Sequence, residues 1–438
     1  MKRKLISLVV LFCLSLSSLA GCSVQTNEDT EESQQKEMPA EAPTEIPAVY
    51  EGERFDVEGY YSLMAETVFD KETEDNFVIS PLNIYFALSL LAEVTDGESR
   101  AQILNVIQAE DIRHLEERSS AMWEANYADT RTVKSLLANS FWLSNRYKYK
   151  QEKLEELNNE LYGEVFTGDM ASEAYTQQLR DWLNEKTGGL LSQYAASASF
   201  EDDTAFQIAT ALYYKVGWAE EFSKSATKTE IFHGLSGDSE AEMMHHSEYS
   251  SLYYGKGFTA LKLWLTNHGG DTLIFDDENE EEDISYGGKM YFLLPDDGTD
   301  VDDIMRDPQM LDLVLYDFAR EEKEYHVNMS IPKFHIEMKS DVKDMLIQMG
   351  LTDVMTGAVD FSPILEETAV PFGIDAFDQS AMLEINEKGV VGAAFTEVSA
   401  EPMAPPLEDI DFILDRPFGF VITGPDKSII FMGTVKNL

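Results

Sequence analysis

The stretch that most constrains the fold lies near the C-terminus, at residues 387–404, and reads EKGVVGAAFTEVSAEPMA. Its alternate residues separate into two sets, as they do on the two faces of a half-buried β-strand. One set is uncharged and small or β-branched, and it consists of Val390, Gly392, Ala394, Thr396, Val398 and Ala400. The charges fall in the other set, which consists of Val391, Ala393, Phe395, Glu397, Ser399 and Glu401. The pattern therefore predicts a strand with one inward row and one outward row.

The same stretch also has the composition of an exposed loop. Gly389, Gly392 and Pro402 lie within it, and Pro405 and Pro406 follow directly after it. Glycine and proline are both typical of turns and loops. The simplest interpretation is an edge strand followed by a proline-rich loop. The alternative, which the flanking sequence favours, is a segment that changes between an exposed loop and a strand.

The first 21 residues predict a secretory signal peptide. Three basic residues at positions 2–4 precede an apolar run at residues 5–16, which is too short for a comfortable membrane span. The motif LAGC at residues 19–22 resembles a bacterial lipobox, in which the cysteine is acylated and becomes the new N-terminus. A lipid on Cys22 would anchor the chain at the membrane surface. The alternative is a plain signal peptide cut at Ala20, which would leave Cys22 free.

Residues 22–52 predict a disordered acidic tether, because glutamate, glutamine, threonine and proline dominate after Cys22. From residue 53 to residue 438 the composition is globular, with no second linker, so we expect one domain. Since Cys13 lies in the signal peptide, Cys22 is the only cysteine of the mature chain. An intrachain disulfide and a cysteine-based zinc site are therefore excluded.

The charge of the chain limits its partners. Aspartate and glutamate number 81 against 33 lysines and arginines, and the net charge is −48. Nucleic acid and anionic lipid headgroups are poor partners for such a chain. We expect a monomer that binds no nucleic acid and contacts the membrane only through the lipid on Cys22.

Several motifs follow one another along residues 53–438. Ser80 can cap a helix that begins at Pro81, and the next ten residues are apolar around most of the helix. The sequences LLANSFWL at 136–143 and FQIATALYYKVGW at 206–218 predict strands, and the second strand ends at Trp218. LRDWLNEKTGGLL at 179–191 predicts a helix that ends at a pair of glycines, and VNMSIPKFHIEM at 327–338 predicts one strand.

In this order, and together with the stretch at 387–404, the motifs resemble the serpins, a family of loop-inserting protease inhibitors. The resemblance spans roughly residues 55–438. It implies an α+β fold, the serpin fold, with three β-sheets, about eight to nine helices and an exposed reactive-centre loop at about residues 387–408.

The resemblance implies suicide inhibition of extracellular serine proteases. The protease attacks the loop and forms an acyl-enzyme, and the cleaved loop then inserts as a new central strand of the main sheet. In inhibitory members the residue before the cleaved bond lies 16 positions beyond the hinge glutamate, which gives Met403–Ala404 here. An unbranched apolar side chain suits elastase-like, chymotrypsin-like or subtilisin-like enzymes, which have an apolar primary pocket.

The resemblance also assigns roles to residues that control insertion. The hinge, where insertion begins, comprises Glu387, Lys388, Gly389, Val390, Val391, Gly392, Ala393 and Ala394. The breach is the point where the loop enters the sheet, and its residues are Trp218 and Lys333, with Lys333 expected to pair with Glu387. The shutter lies where the sheet opens, and its residues are Ser80, Pro81, Asn83, Thr210 and Gln379. The family often has asparagine and histidine where this chain has Thr210 and Gln379, so the hydrogen bonds of the shutter must differ.

Two other functions compete with inhibition. A non-inhibitory serpin that acts as a surface binding protein usually has a charged or bulky hinge, and residues 389–394 contain neither feature. An enzyme is disfavoured because the chain contains no nucleophile elbow, P-loop, dinucleotide fingerprint or zinc helix. The histidines at 233, 245, 246 and 268 lack metal-binding helical spacing, so the sequence predicts neither a metal nor a cofactor.

Overall fold

The computed structural model describes residues 57–70, 73–129, 133–160, 163–189, 192–201, 204–265, 288–357, 359–367, 374, 377–390 and 408–438. Several predictions made from the sequence fall outside the described residues. They concern the signal peptide, Cys22, the tether, hinge residues Val391, Gly392, Ala393 and Ala394, and the bond between Met403 and Ala404.

The described part of the chain contains eleven α-helices. They are α1 (Glu58–Val68), α2 (Pro81–Val94), α3 (Gly97–Val106), α4 (Ile112–Asn126), α5 (Gln151–Glu160), α6 (Glu173–Lys186), α7 (Ser192–Ser197), α8 (Val301–Arg306), α9 (Pro308–Tyr316), α10 (Lys343–Gln348) and α11 (Thr352–Thr356). Among the described helices, none has both the length and the apolar character that a membrane crossing requires.

Sixteen strands accompany these helices in the described residues. They are β1 (Phe77–Ile79), β2 (Ala128–Asp129), β3 (Lys134–Ser144), β4 (Gly163–Gly168), β5 (Phe206–Gly217), β6 (Lys228–Gly234), β7 (Gly237–Tyr254), β8 (Phe258–Leu265), β9 (Gly288–Pro295), β10 (Glu321–Pro332), β11 (Phe334–Asp341), β12 (Asp378–Asn386), β13 (Gly389–Val390), β14 (Asp409–Ile413), β15 (Phe418–Thr423) and β16 (Ile429–Val435).

The strands form two hydrogen-bonded sheets. The seven-stranded sheet has the order β11-β12-β13-β5-β3-β2, with β4 paired to β3. The nine-stranded sheet has the order β1-β16-β15-β9-β8-β7-β10-β14, with β6 paired to β7. The predicted α+β class is confirmed, because the helices lie in segments separate from two sheets whose strands pair mostly antiparallel.

Two counts differ from the expectation of three sheets and eight to nine helices. Strand β7 has 18 residues, and it pairs with β6 over residues 237–243, with β10 over residues 243–254 and with β8 over residues 252–254. This one long strand joins what would otherwise be two sheets. The helix count rises to eleven because short elements such as α7, α8, α10 and α11, of five or six residues, are included.

The prediction of one strand at 327–338 was wrong. Residues on either side of Lys333 belong to different sheets, because β10 pairs with β7 and β14 whereas β11 pairs with β12. Proline lacks a backbone N–H to donate, and β10 ends at Pro332. Lys333 therefore lies at the crossover between the two sheets, next to the hinge.

Helix α2 forms the centre of the core. All 14 of its residues are buried, and the helix packs on β3 and β5 of one sheet and on β16 of the other. Ser80 caps the helix by accepting a hydrogen bond from the backbone N–H of Asn83, and Pro81 is the first helical residue. The predicted start of this helix is confirmed, and it lies beneath the seven-stranded sheet.

A large-to-small substitution in α2 tests its role in the core. Leu88 is 0% exposed, so Leu88→Ala removes packing on several neighbours and is expected to lower the free energy of unfolding by about 2–5 kcal/mol. The matched control is Leu235→Ala at a side chain that is 52% exposed, where a change within about 0.5 kcal/mol is expected. Urea unfolding of both variants measures the difference, and equal effects would contradict this account of the core.

Candidate functional site

Strand β13 occupies the position that an inserting loop would take. Gly389 pairs with Asn386 of β12 and with Gly217 of β5, and Val390 pairs with Ile385 and Val216. The pairing is antiparallel on both sides, and Val390 is 0% exposed. The first residue of the predicted inward row is thus buried between two strands of the seven-stranded sheet.

Gly389 is required at the point where the chain turns into this position. Its φ is +135°, which L-residues with side chains rarely adopt. A Cβ atom at this residue would lie 2.3 Å from the carbonyl oxygen of Val216. Any side chain at position 389 would therefore push β13 away from β5.

The segment that follows β5 holds the hinge turn by three hydrogen bonds. The Trp218 indole donates to the carbonyl oxygen of Asn386 at 2.9 Å, and the Trp218 backbone N–H donates to that of Lys388 at 3.1 Å. The backbone N–H of Phe222 donates to the carbonyl oxygen of Glu387 at 2.9 Å. Trp218 is buried, so the predicted breach residue lies directly against the hinge.

Lys333 and Glu387 lie together, in the arrangement that the resemblance implies. The Lys333 Nζ is 3.5 Å from Glu387 Oε1 and 3.0 Å from Glu242 Oε2. The Thr227 hydroxyl donates to Glu387 Oε1 at 3.0 Å. The side chain of Glu387 is 9% exposed and that of Lys333 is 29% exposed, so the pair is largely shielded from solvent on the glutamate side.

These contacts determine the protonation state of Glu387. Burial would raise the pKa of its carboxyl group, but hydrogen bonds from its own backbone N–H and from Thr227, together with the Lys333 charge, outweigh burial. The pKa is therefore held below the ordinary value of 4.5. Glu387 is ionised at neutral pH and attracts the ammonium group of Lys333.

The shutter is built around an amide side chain. Gln379 Oε1 accepts from the backbone N–H of Ser80 at 3.0 Å, and Gln379 Nε2 donates to the Ser80 carbonyl oxygen at 3.0 Å. Ser80, Asn83 and Gln379 are all buried. This pair of hydrogen bonds joins β12 to the start of α2, so the two must separate if the sheet opens here.

The structure places Thr210 apart from this pair. Thr210 lies on β5 opposite Asn139 of β3, and within the described residues no side-chain hydrogen bond joins it to Gln379. The structure therefore brings Ser80 and Gln379 together, whereas Thr210 lies on β5, which among the described strands pairs with β13 and β3 and not with the strand of Gln379.

Sequence reasoning missed several residues in and beside the site. Thr227 precedes β6 and contacts Glu387, Glu242 lies on β7 and contacts Lys333, and no local motif marks either residue. His246 was assigned no role, yet its Nε2 lies 3.3 Å from Glu220 Oε2 and 3.7 Å from Glu248 Oε2. The alternation of His246 and Glu248 along a strand was the one signal that could have linked these two residues.

Comparisons with known proteins agree with the fold. A family model described as Serpin (serine protease inhibitor) matches residues 61–438. The chain is 27% identical to Serpin-Z2A of Triticum aestivum, over 84% of this chain and 91% of the relative. It is 26% identical to the leukocyte elastase inhibitor of Sus scrofa, over 83% of this chain and 93% of the relative.

Two solved structures show how far the fold extends. The native state of the thermophilic serpin tengpin has a TM-score of 0.74 at 19% identity and covers 89% of this chain and 96% of its own. Human thyroxine-binding globulin complexed with thyroxine has a TM-score of 0.70 at 20% identity, over 87% of this chain and 99% of its own. The second likeness shows that the fold alone does not decide between inhibition and ligand binding.

The shutter can be tested by removing the amide. Gln379→Leu leaves the buried N–H and carbonyl groups of Ser80 without these partners and is expected to cost about 1–3 kcal/mol of unfolding free energy. Gln102 is a matched control, because it makes a similar pair of hydrogen bonds to Asp353 in an exposed position. Gln102→Leu is expected to cost less than about 0.5 kcal/mol, and thermal melts in parallel would reveal an equal cost if the shutter pair is unimportant.

The hinge ion pair predicts a pH dependence. The pKa of Glu387 is lowered on folding, so its contribution to stability is present above its ordinary pKa of 4.5 and is lost as pH falls below that value. Glu387→Gln is expected to reduce the free energy of unfolding by up to about 1 kcal/mol at neutral pH. The gap between the melting temperatures of wild type and variant should narrow as pH falls from neutral to 3, and a gap that does not change with pH would contradict this assignment.

Proposed function

Because the chain belongs to the serpin family, we propose that it is a suicide-type inhibitor of extracellular serine proteases. The observation that carries the proposal is the position of β13, where Gly389 and Val390 already pair with both β5 and β12. Continued insertion would extend this short strand along the same two neighbours. The protein would then act as a pseudosubstrate and would need neither a catalytic group nor a cofactor of its own.

The proposed chemistry is carried out by the protease. Its serine attacks the carbonyl carbon of Met403, the bond to Ala404 breaks, and the Ala404 amine leaves with the proton that the protease base supplies. Met403 remains joined to the serine as an ester. The segment from Val390 to Met403 is then free at its C-terminal end and inserts, carrying the attached protease to the far end of the sheet.

Insertion must be favourable and fast. A new central strand adds on the order of ten ladder hydrogen bonds, each worth about 0.5–1.5 kcal/mol net. A typical protease turns over about 10 times per second, so insertion has roughly a tenth of a second before water hydrolyses the ester. The uncharged inward row that begins at Val390 supports rapid insertion, because no charge has to be buried.

The breach and the shutter would set the barrier to insertion. At the breach, Trp218 and Phe222 hold the backbone of residues 386–388 while Lys333 holds the Glu387 carboxylate. At the shutter, Gln379 ties β12 to Ser80. These contacts anchor the root of the loop and keep β12 in place until cleavage frees the other end.

Met403 favours target proteases with an apolar primary pocket. Elastase-like, chymotrypsin-like and subtilisin-like enzymes fit an unbranched apolar side chain, whereas the aspartate in a trypsin-like pocket requires a cation. The likeness to a porcine protein named leukocyte elastase inhibitor supports this class of target.

We propose that the chain is secreted across a bacterial cytoplasmic membrane and is lipid-anchored at the extracellular face of the cell surface. The signal peptide and the lipobox cysteine Cys22 support export and lipid anchoring, and the acidic segment at 22–52 would hold the inhibitory domain at 53–438 away from the lipid surface. We propose a monomer, with the protease as its covalent partner.

A non-inhibitory surface binding protein is the second candidate. The likeness to thyroxine-binding globulin, solved with thyroxine, is the observation in its favour. The small, uncharged residues from 389 to 394 argue for inhibition, because they permit insertion.

A gel assay tests the proposed function. The full chain is mixed with an elastase, a chymotrypsin or a subtilisin, and an SDS-resistant covalent complex is expected. Met403→Asp should abolish the complex by misfitting the apolar pocket. Val390→Arg should convert the inhibitor into a cleaved substrate, since an arginine on the inward row cannot be buried without cost. Glu397→Arg is the matched control, because it places the same side chain on the outward row and should retain the complex.

If the proteases cleave the loop without forming a complex, the melting temperature of the cleaved chain decides between two explanations. If the cleaved chain has a much higher melting temperature than the intact chain, the loop inserts but more slowly than the ester is hydrolysed. If the melting temperature does not rise, insertion fails and the inhibitory proposal is wrong.

A further inference from the structure

Three side chains of types that can bind a metal ion lie close together beside the breach. His246 Nε2 lies 3.3 Å from Glu220 Oε2 and 3.7 Å from Glu248 Oε2. The three ligand atoms all lie within 4.8 Å of one another. None of these residues takes part in the hinge, breach or shutter contacts described above.

The local structure explains why the three side chains converge. His246 and Glu248 are two residues apart on β7, so they project from the same face of the strand. Glu220 lies in the segment that follows β5, between Trp218 and Phe222. The ring of Phe222 packs edge-on against the His246 imidazole, with the ring centroids 5.7 Å apart, and supports one side of the cluster.

The distances suit a tetrahedral metal ion. Zinc binds imidazole nitrogen at about 2.0–2.1 Å and carboxylate oxygen at about 2.0–2.2 Å. At tetrahedral angles, two such ligand atoms are about 3.3–3.5 Å apart. The two measured distances from His246 Nε2, 3.3 and 3.7 Å, are close to this separation. Small side-chain rotations would place a metal ion between the three atoms.

We propose that Glu220, His246 and Glu248 form a zinc site, with water as the fourth ligand. Imidazole nitrogen favours zinc over calcium or magnesium, which prefer oxygen ligands only. Two carboxylates neutralise the charge of the ion, and the net charge of −48 attracts cations to the surface as a whole.

Zinc at this position would stabilise the breach. Glu220 belongs to the segment whose ends, Trp218 and Phe222, donate backbone hydrogen bonds to Lys388 and Glu387. A metal that joins Glu220 to β7 would restrain that segment and therefore the hinge turn. We expect zinc to slow loop insertion, a consequence that rests on the proposed inhibitory function, whereas zinc binding itself does not.

Zinc binding is tested by calorimetric titration of the full chain with zinc chloride, with magnesium chloride as the comparison ion. A site that depends on His246 is expected. His246→Gln should weaken it by at least about tenfold, since even the loss of groups that only support a ligand costs 10–100-fold. The matched control is His245→Gln, at the adjacent histidine, which contacts Glu230 at 3.0 Å on the other face of β7. It should leave the affinity unchanged.

Two further measurements keep the test decisive. Glu248→Gln preserves the size of the side chain and should also weaken zinc binding, so a folding defect of one variant cannot decide the result. Cobalt should give the visible absorption of a tetrahedral complex in wild type and in His245→Gln but not in His246→Gln. The proposal is overturned if zinc does not bind, or if binding is the same in wild type, His246→Gln and Glu248→Gln.

The effect on insertion is measured separately. The rate of covalent complex formation with an elastase should fall when zinc is added to wild type and should not change in His246→Gln. Zinc binding without a change in rate would show that the site exists but does not restrain the hinge. A chain that forms no complex in any condition would contradict the inhibitory function and leave the metal site to the calorimetric result.

Discussion

The pairing of Gly389 and Val390 with two strands at once is the constraint on which the rest of the site depends. A residue in this position must satisfy backbone groups on both sides, lack a charge and fit between β5 and β12. The surrounding features follow from that requirement. Gly389 turns the chain without a Cβ atom, the Trp218 indole donates a hydrogen bond to the backbone of Asn386, and Glu387 has a cationic partner in Lys333.

The two sheets contribute differently to this region. The seven-stranded sheet provides the gap, whereas the nine-stranded sheet provides most of the side chains that hold the hinge. Lys333 follows β10, Glu242 lies on β7, and Thr227 precedes β6. The crossover at Lys333 therefore places a cation from the end of β10 in one sheet beside the start of β13 in the other.

Local signals in the sequence predicted local structure well. The serine–proline pair at 80–81 marked the start of α2 because capping and proline geometry act within one turn. The period of two in residues 390–400 predicted the burial of Val390, because alternate side chains of a strand share one face. The failure at 327–338 came from a choice between partners, since both halves are good strands and only the positions of β7 and β12 decide which sheet each half joins. Thr227 contacts Glu387 and Glu242 contacts Lys333 across large separations in sequence, so no local pattern predicted these contacts.

The two ends of β12 differ in how their contacts respond to pH, because Gln379 stands at one end and Glu387 follows the other. The family often places histidine at position 379, and histidine changes charge near physiological pH. An amide does not titrate, so the bonds between Gln379 and Ser80 keep the same strength whether the surroundings are acidic or neutral. The hinge carboxylate at the other end of the strand does titrate. Acidification would thus weaken the ion pair at the root of the loop, while the bonds between Gln379 and Ser80 and the bonds from Trp218 and Phe222 to the hinge backbone would not change.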